Sequence, residues 1–318
     1  MVDIYATFSL LYAVLMVILS TSMNSTLFYI LIFNSKKSRR LPQLFISSIS
    51  ILDILQTSAR LIPKISVLHK EYPLVNSWGC VEAAAVVHFV TIARVIHMVV
   101  LSFVRIIALK NYALYLDNCE KILVKFALIF FCYLYGFLWA FLPVMGWSSY
   151  EDDLNKERCS LDWKLLNSNS LTYIVVVLVF SYVLPGAILI CVLKRTHVTV
   201  IQHKENILRK RYCSSQFPDI LANIYLKIFS CLTVSYFVTW TPYIFVSFIT
   251  MLGAKIPPAL FNLAAWFEST SSILGAFVNF YFNKPLKAHL YQIRLFGCFK
   301  RNKVSPEPRV RINQQLYL

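Results

Sequence analysis

Seven stretches of this sequence stay apolar for about twenty residues or more, separated by polar connections that are mostly basic. They lie at about 8–33, 44–68, 81–109, 122–147, 171–193, 225–252 and 258–282. Each reaches the roughly 20 residues that a helix needs to cross the hydrocarbon core of a bilayer. Backbone polar groups find no water there, so a spanning segment of this length has to be helical. Only 14% of the 318 residues are charged and the mean hydropathy is +0.62, which excludes an ordinary soluble domain. The expected fold class is an all-α integral membrane protein, a seven-transmembrane helix bundle. No repeat or Gly/Ser linker divides it, so residues 1–300 read as one domain and 301–318 as a disordered cytoplasmic tail. The first stretch is too long for a cleaved leader and no small-residue cleavage site follows it, so it reads as an uncleaved anchor.

The net charge of +16 is distributed by topology. Most Lys and Arg residues fall in alternate connections, at 36–40, 105–125 and 194–227, and in the tail from Lys284. Basic loops stay on the cytoplasmic side, so a multi-pass membrane protein with its N-terminus outside and its tail inside is expected. Scattered between apolar segments, these charges form no continuous basic face, which excludes a nucleic-acid partner. Of eight cysteines, Cys80 and Cys159 are the pair that falls outside, which predicts a disulfide. Residues 284–296 mix basic and apolar side chains and suit a short amphipathic eighth helix on the lipid surface. Cys298 just beyond it is a candidate for lipidation, or a buried free thiol.

Ionisable residues inside the spans carry the functional signal. The second stretch places Asp53, Thr57, Arg60 and Lys64 on one helical stripe, the third carries Arg94, and the seventh carries Glu268 beside Ser269, Ser271 and Ser272. Such groups must face the bundle interior and find partners. The interior acids are few, Asp53 and Glu268 with Glu82 nearer the surface, while Arg60 and Lys64 have an alternative in loop acids such as Asp153.

Several motifs resemble the rhodopsin-like family of G-protein-coupled receptors. Asn24, Asp53 in SISILDIL, Arg105 at 25 residues after Cys80, Pro185, and TWTPY at 239–243 each match a family position. Within that family the chain is similar to opsins, through GWSSYEDDLNKERCSLDW at 146–163 and AWFESTSSILGAFVNFYFNK at 265–284. The resemblance implies a ligand pocket in the outer half with Trp240 at its floor, lined by Arg60, Lys64, His88, Trp266, Glu268 and Ser269. It also implies an Asp53–Arg94 charge pair within the membrane, a small-molecule ligand, and a heterotrimeric G protein that engages Arg105. Trp240 and His88 have bland readings too, as core packing.

The departures from the family are as informative. An opsin holds retinal as an imine on a seventh-helix lysine, and Ser269 stands at that position here. A hydroxyl forms no imine, so no covalent retinal cofactor is expected. Val104 replaces the acid that usually precedes the Arg105 position, and 275–279 replaces the usual Asn-Pro-x-x-Tyr. The leading expectation is an opsin-like sensory receptor for a non-covalent ligand. The alternatives are a retinoid binder without the imine and, from another class, a transporter or proton conductor. No inverted repeat supports the last. No nucleophile–base pair, metal cluster or phosphate loop points to an enzyme.

Overall fold

The computed structural model describes residues 4–33, 40–68, 78–152, 158–163, 169–209, 217–254 and 256–282. Its elements in order are α1 (Ile4–Phe33), α2 (Leu41–Leu68), α3 (Trp78–Lys110), a short α4 (Tyr112–Leu114) running into a π turn, α5 (Ile122–Phe141), strands β1 (Tyr150–Asp152) and β2 (Cys159–Leu161), α6 (Ser170–Leu178), a second π turn, α7 (Leu184–Arg209), α8 (Phe217–Met251) and α9 (Pro258–Phe282). α6, its π turn and α7 form one rod with helical dihedrals at both junctions. That makes seven long helices, as the seven apolar stretches predict.

Six of the seven are long and apolar enough to span a membrane on composition alone. The seventh, α9, is diluted by Glu268 and the run Ser269–Thr270–Ser271–Ser272, of which Glu268, Ser271 and Ser272 are buried in the bundle. Outward faces are greasy. Leu123, Phe126 and Phe130 of α5 are more than half exposed, as a helix facing lipid requires. α3 runs through the middle against α2, α5 and α7, while α9 packs on α8 and closes back onto α1.

The helix ends differ from the apolar stretches where the sequence changes character. The fourth stretch stops at Phe141 and not at 147, because Pro143 follows and Gly146 takes φ +95°. The fifth continues past 193 to Arg209, since Lys, Arg, Gln and Glu are good helix formers once the chain leaves hydrocarbon. The expected eighth helix, Cys298 and the 301–318 tail lie outside the described residues.

Two close approaches fix how the helices pack. Pro185 lacks an N–H, so Ser181 has no helical donor four residues on. The Tyr236 hydroxyl of α8 donates to the Ser181 and Tyr182 carbonyls at 3.5 and 3.0 Å and closes the gap. Gly136 of α5 lies so near α3 that a Cβ there would sit 2.8 Å from both the Ala93 Cβ and the Phe89 carbonyl oxygen. Backbone on both sides leaves no room to yield. Gly136→Ala should therefore lower the thermal unfolding midpoint of the purified protein, overpacking of this kind costing about 1–3 kcal/mol; an unchanged midpoint would show that α5 can slide outward freely.

The hairpin β1–β2 pairs Tyr150 with Leu161 and Asp152 with Cys159. A disulfide from Cys159 to Cys80 pins it to the head of α3. The Tyr150 hydroxyl donates to the Ala140 carbonyl at 2.8 Å, and Ser170 donates to Asp162 at 2.6 Å, so the hairpin is tied to α5 and α6 as well.

Candidate functional site

Under the hairpin lies a cavity of about 200 Å³. A single water needs roughly 10–15 Å³ by this measure, so the space takes a small organic molecule. Its walls come from α1, α2, α3, α6, the second π turn, α8 and α9, with Tyr150 and residues 158–161 of the hairpin above. Val95, Tyr236 and Trp240 line the cavity and also belong to the packed core of α3, α7 and α8. Arg60, Lys64, His88, Trp240, Trp266, Glu268 and Ser269 all border this one space.

Its polar wall is built between α2 and α9. Glu268 is buried, with its side chain 5% exposed, and forms an ion pair with the partly buried Arg60. Arg60 also donates to the Ser269 hydroxyl at 2.9 Å. The two α9 acceptors are adjacent in sequence, and one planar guanidinium reaches both. One turn further along α2, the Lys64 ammonium donates to Ser9 of α1 at 2.6 Å. On the aromatic side, Trp266 stacks on Tyr12 with centroids 5.0 Å apart, and the Tyr12 hydroxyl donates to the Trp266 carbonyl at 3.0 Å. His88 lies 3.3 Å from the Tyr150 hydroxyl of the hairpin.

Below it sits a second ionic site. Arg94 Nε is 2.9 Å from Asp53 Oδ1, and its other nitrogens donate to the Ser271 hydroxyl, at 2.7 Å, and to the Ser271 carbonyl. One cation thus joins α2, α3 and α9. Gly275 faces it, and a Cβ there would lie 3.7 Å from both Arg94 and Asp53. Nearby, Asn24 of α1 donates to the Ser272 carbonyl at 3.0 Å. A small void of about 30 Å³, enough for about two waters, separates Asp53 and Arg94 from Arg105.

Residues 23–277 match one family, 7 transmembrane receptor (rhodopsin family). The chain belongs to this family. Among relatives of this receptor, vertebrate ancient opsin of Salmo salar is 26% identical over 223 residues, covering 69% of this chain and 66% of that protein. Visual pigment-like receptor peropsin of Homo sapiens is 21% identical over 54% of this chain and 50% of its own length. The receptor thus spans between half and two thirds of the curated relatives it matches. Squid rhodopsin has the same fold, with a TM-score of 0.83 over 95% of this chain and 89% of that one, at 17% identity.

At the end away from the hairpin, the receptor buries Arg105 with its guanidinium over the Tyr225 ring, 5.7 Å from the centroid. It meets no carboxylate among the described residues. Nearby, Glu120 organises the connection between α3 and α5. It pairs with Lys125, accepts from the Tyr115 hydroxyl and accepts from the Leu41 N–H at 3.0 Å. Burial opposes ionisation of Glu120, but these donors hold its carboxyl below the usual carboxylate range.

Sequence reasoning overlooked three parts of the cavity. Tyr12 sits on a helix without charged residues, where nothing in the sequence singles it out. Trp163 is placed by the turn after β2. Arg158, in the hairpin, stands over the rings of Tyr243 and Phe261 at 5.3 and 5.7 Å. Its neighbour Cys159 was the available signal, since a disulfide to α3 brings residue 158 over the bundle mouth.

Proposed function

We propose that this chain is an opsin-related sensory receptor of the plasma membrane that binds a small ligand without a covalent bond and signals through heterotrimeric G proteins. The hairpin end and the N-terminus face outward in this reading, and Arg105 faces the G protein. One observation carries it: the α9 wall of the capped cavity presents Glu268 and Ser269 to Arg60, and α9 contains no amine. An imine on that helix does not fit this wall, whereas a ligand held by ionic and hydrogen-bonding contacts does. The test is expression in cells carrying reporters for the major second messengers, exposed to ligand libraries that include retinoids in darkness and in light. A saturable response that disappears in cavity variants supports the reading, and silence at verified surface expression counts against it.

A second reading keeps a retinoid in the same space without the imine, favoured by the aromatic lining of Trp163, Tyr236, Trp240 and Trp266. It predicts a retinoid-dependent absorption band that borohydride does not trap. A trapped adduct would direct attention to Lys64, the one lysine among the described residues lining the cavity.

Arg105 gives the signalling half of the proposal its own test. With Val104 beside it and an aromatic ring as its contact, no acid among the described residues restrains it. Measurable basal signalling is expected, reduced several-fold by Arg105→Ala at matched surface expression. Equal basal signal in parent and variant would argue for a protein that does not couple through this residue.

A further inference from the structure

His88 stands under the hairpin between two tyrosines, edge-on to the rings of Tyr150 and Tyr173 with centroids 6.2 Å away in each case. Both tyrosines have their hydroxyl protons committed, and the reason lies at the end of α5. Pro143 lacks the N–H that would meet the Trp139 carbonyl four residues back. The Val144 N–H turns to the Phe141 carbonyl and leaves that of Ala140 open. The Tyr173 hydroxyl donates to Trp139 at 2.6 Å and the Tyr150 hydroxyl to Ala140 at 2.8 Å, so each open carbonyl is met. A carbonyl only accepts, which fixes the direction of both bonds.

That direction passes on to His88. Its Nδ1 lies 3.3 Å from the Tyr150 oxygen, whose one proton is already given to Ala140, so the imidazole is the donor in this contact. No carboxylate meets His88 among the described residues, and a neutral ring has one N–H. Nε2 is therefore left as an acceptor, on a residue that lines the cavity, and no group among the described residues donates to it. From Nε2 through Nδ1–H and the tyrosine hydroxyl to the backbone carbonyl, the chain runs one way, and each link polarises the next. Whatever meets its open end has to donate.

We infer that the ligand carries a hydroxyl on a flat apolar body, an alcohol or a phenol, with the hydroxyl donating to His88 Nε2 and the body against the aromatic wall of Trp163, Tyr236 and Trp240. This rests on the receptor reading and names the ligand class for the same cavity. An ether or a ketone would set its own lone pair against that of Nε2 and displace a water that can donate there. A charged amine also donates, but Glu268, the one carboxylate among the described lining residues, is already paired with Arg60.

The experiment uses full-length receptor in phosphatidylcholine discs at neutral pH, titrated calorimetrically with 2-naphthol, with its methyl ether and with 2-naphthylmethylamine, partition into empty discs being subtracted. The naphthol should bind saturably and about tenfold more tightly than the ether, since the ether leaves a buried acceptor unmet. His88→Phe keeps a ring between the two tyrosines and should erase that difference. Tyr150→Phe removes the acceptor of Nδ1–H, frees the proton to reside on Nε2, and should cut the preference several-fold or turn it toward the ether. A residue that only packs the wall would weaken naphthol and ether alike. If either variant fails to fold, the ranking of the three compounds on the parent receptor still decides. Equal affinity for naphthol and ether, or no saturable binding of either, overturns the inference. So does a preference that survives in His88→Phe, which places the donor elsewhere, and so does an amine that binds more tightly than the naphthol. The receptor reading fails separately, through silent reporter cells and an Arg105→Ala variant that matches the parent.

Discussion

Asp53→Asn should abolish most of the folded protein, with a loss on the order of 3–5 kcal/mol, because it leaves the Arg94 guanidinium as an uncompensated buried charge. Asp53 is fully buried and Arg94 is 7% exposed, so neither group can turn to water. An amide keeps the shape of the carboxylate and removes its charge, which isolates the ionic contribution. Arg94→Lys tests the geometry separately. A single ammonium on a flexible stem has difficulty serving Asp53 on α2 and both Ser271 acceptors on α9 at once, as the guanidinium does. A clear drop is expected there too, smaller than for Asp53→Asn. Replacing both partners, Asp53→Asn with Arg94→Met, should recover part of the loss, since no charge is then stranded. Thermal unfolding and the yield of monodisperse protein in one detergent compare these three variants with the parent. If Asp53→Asn melts with the parent, this pair is not what holds α2, α3 and α9 together.

Why such pairs exist was legible in the sequence, because a bilayer penalises ionisable groups so strongly that a charged stripe on an apolar helix can face only inward. Asp53, Thr57, Arg60 and Lys64 declare that face by spacing alone. Which cation meets which acid depends on the rotation of three helices, and no single segment contains it. Lys64 shows the limit well. Its ammonium donates to the Ser9 hydroxyl on α1, a contact that the charged stripe on α2 does not announce. The outline of the bundle was legible for a similar reason, since apolar length is a one-dimensional property. α9 is the instructive exception, because the polar residues along it lower its hydropathy below that of a typical span. The cavity's upper wall was least legible. Arg158 is positioned by strand pairing and a disulfide, contacts far apart in the chain.

The contact between Arg60 and Glu268 should respond to mutation as a coupled unit. Each side chain is the other's ionic partner across the α2–α9 interface, so Glu268→Gln and Arg60→Gln should each lower stability and surface expression, on the order of 3–5 kcal/mol where burial is complete. Glu268 is nearer that limit, with its side chain 5% exposed against 14% for Arg60. Arg60→Gln, which strands the more deeply buried acid, should therefore be the worse of the two. The double variant should recover part of the loss, with a coupling of roughly 0.5–3 kcal/mol expected for groups in direct contact. Ser269→Lys adds a physical cross-check on the same wall. Its ammonium would replace the hydroxyl that accepts from Arg60 at 2.9 Å and would put a second cation against that guanidinium. It should destabilise the parent and give no good photopigment with retinal, even though it restores an amine to the seventh helix. The same lysine in an Arg60→Gln background has Glu268 beside it without a competing cation, and there the loss should shrink. Strictly additive effects across the Arg60 and Glu268 pair, measured as unfolding midpoints at matched lipid content, would falsify the coupling. Glu268 would then be a ligand contact that happens to lie near a cation, and the α2–α9 interface would be held by packing and by the Arg94 bridge between Asp53 and Ser271.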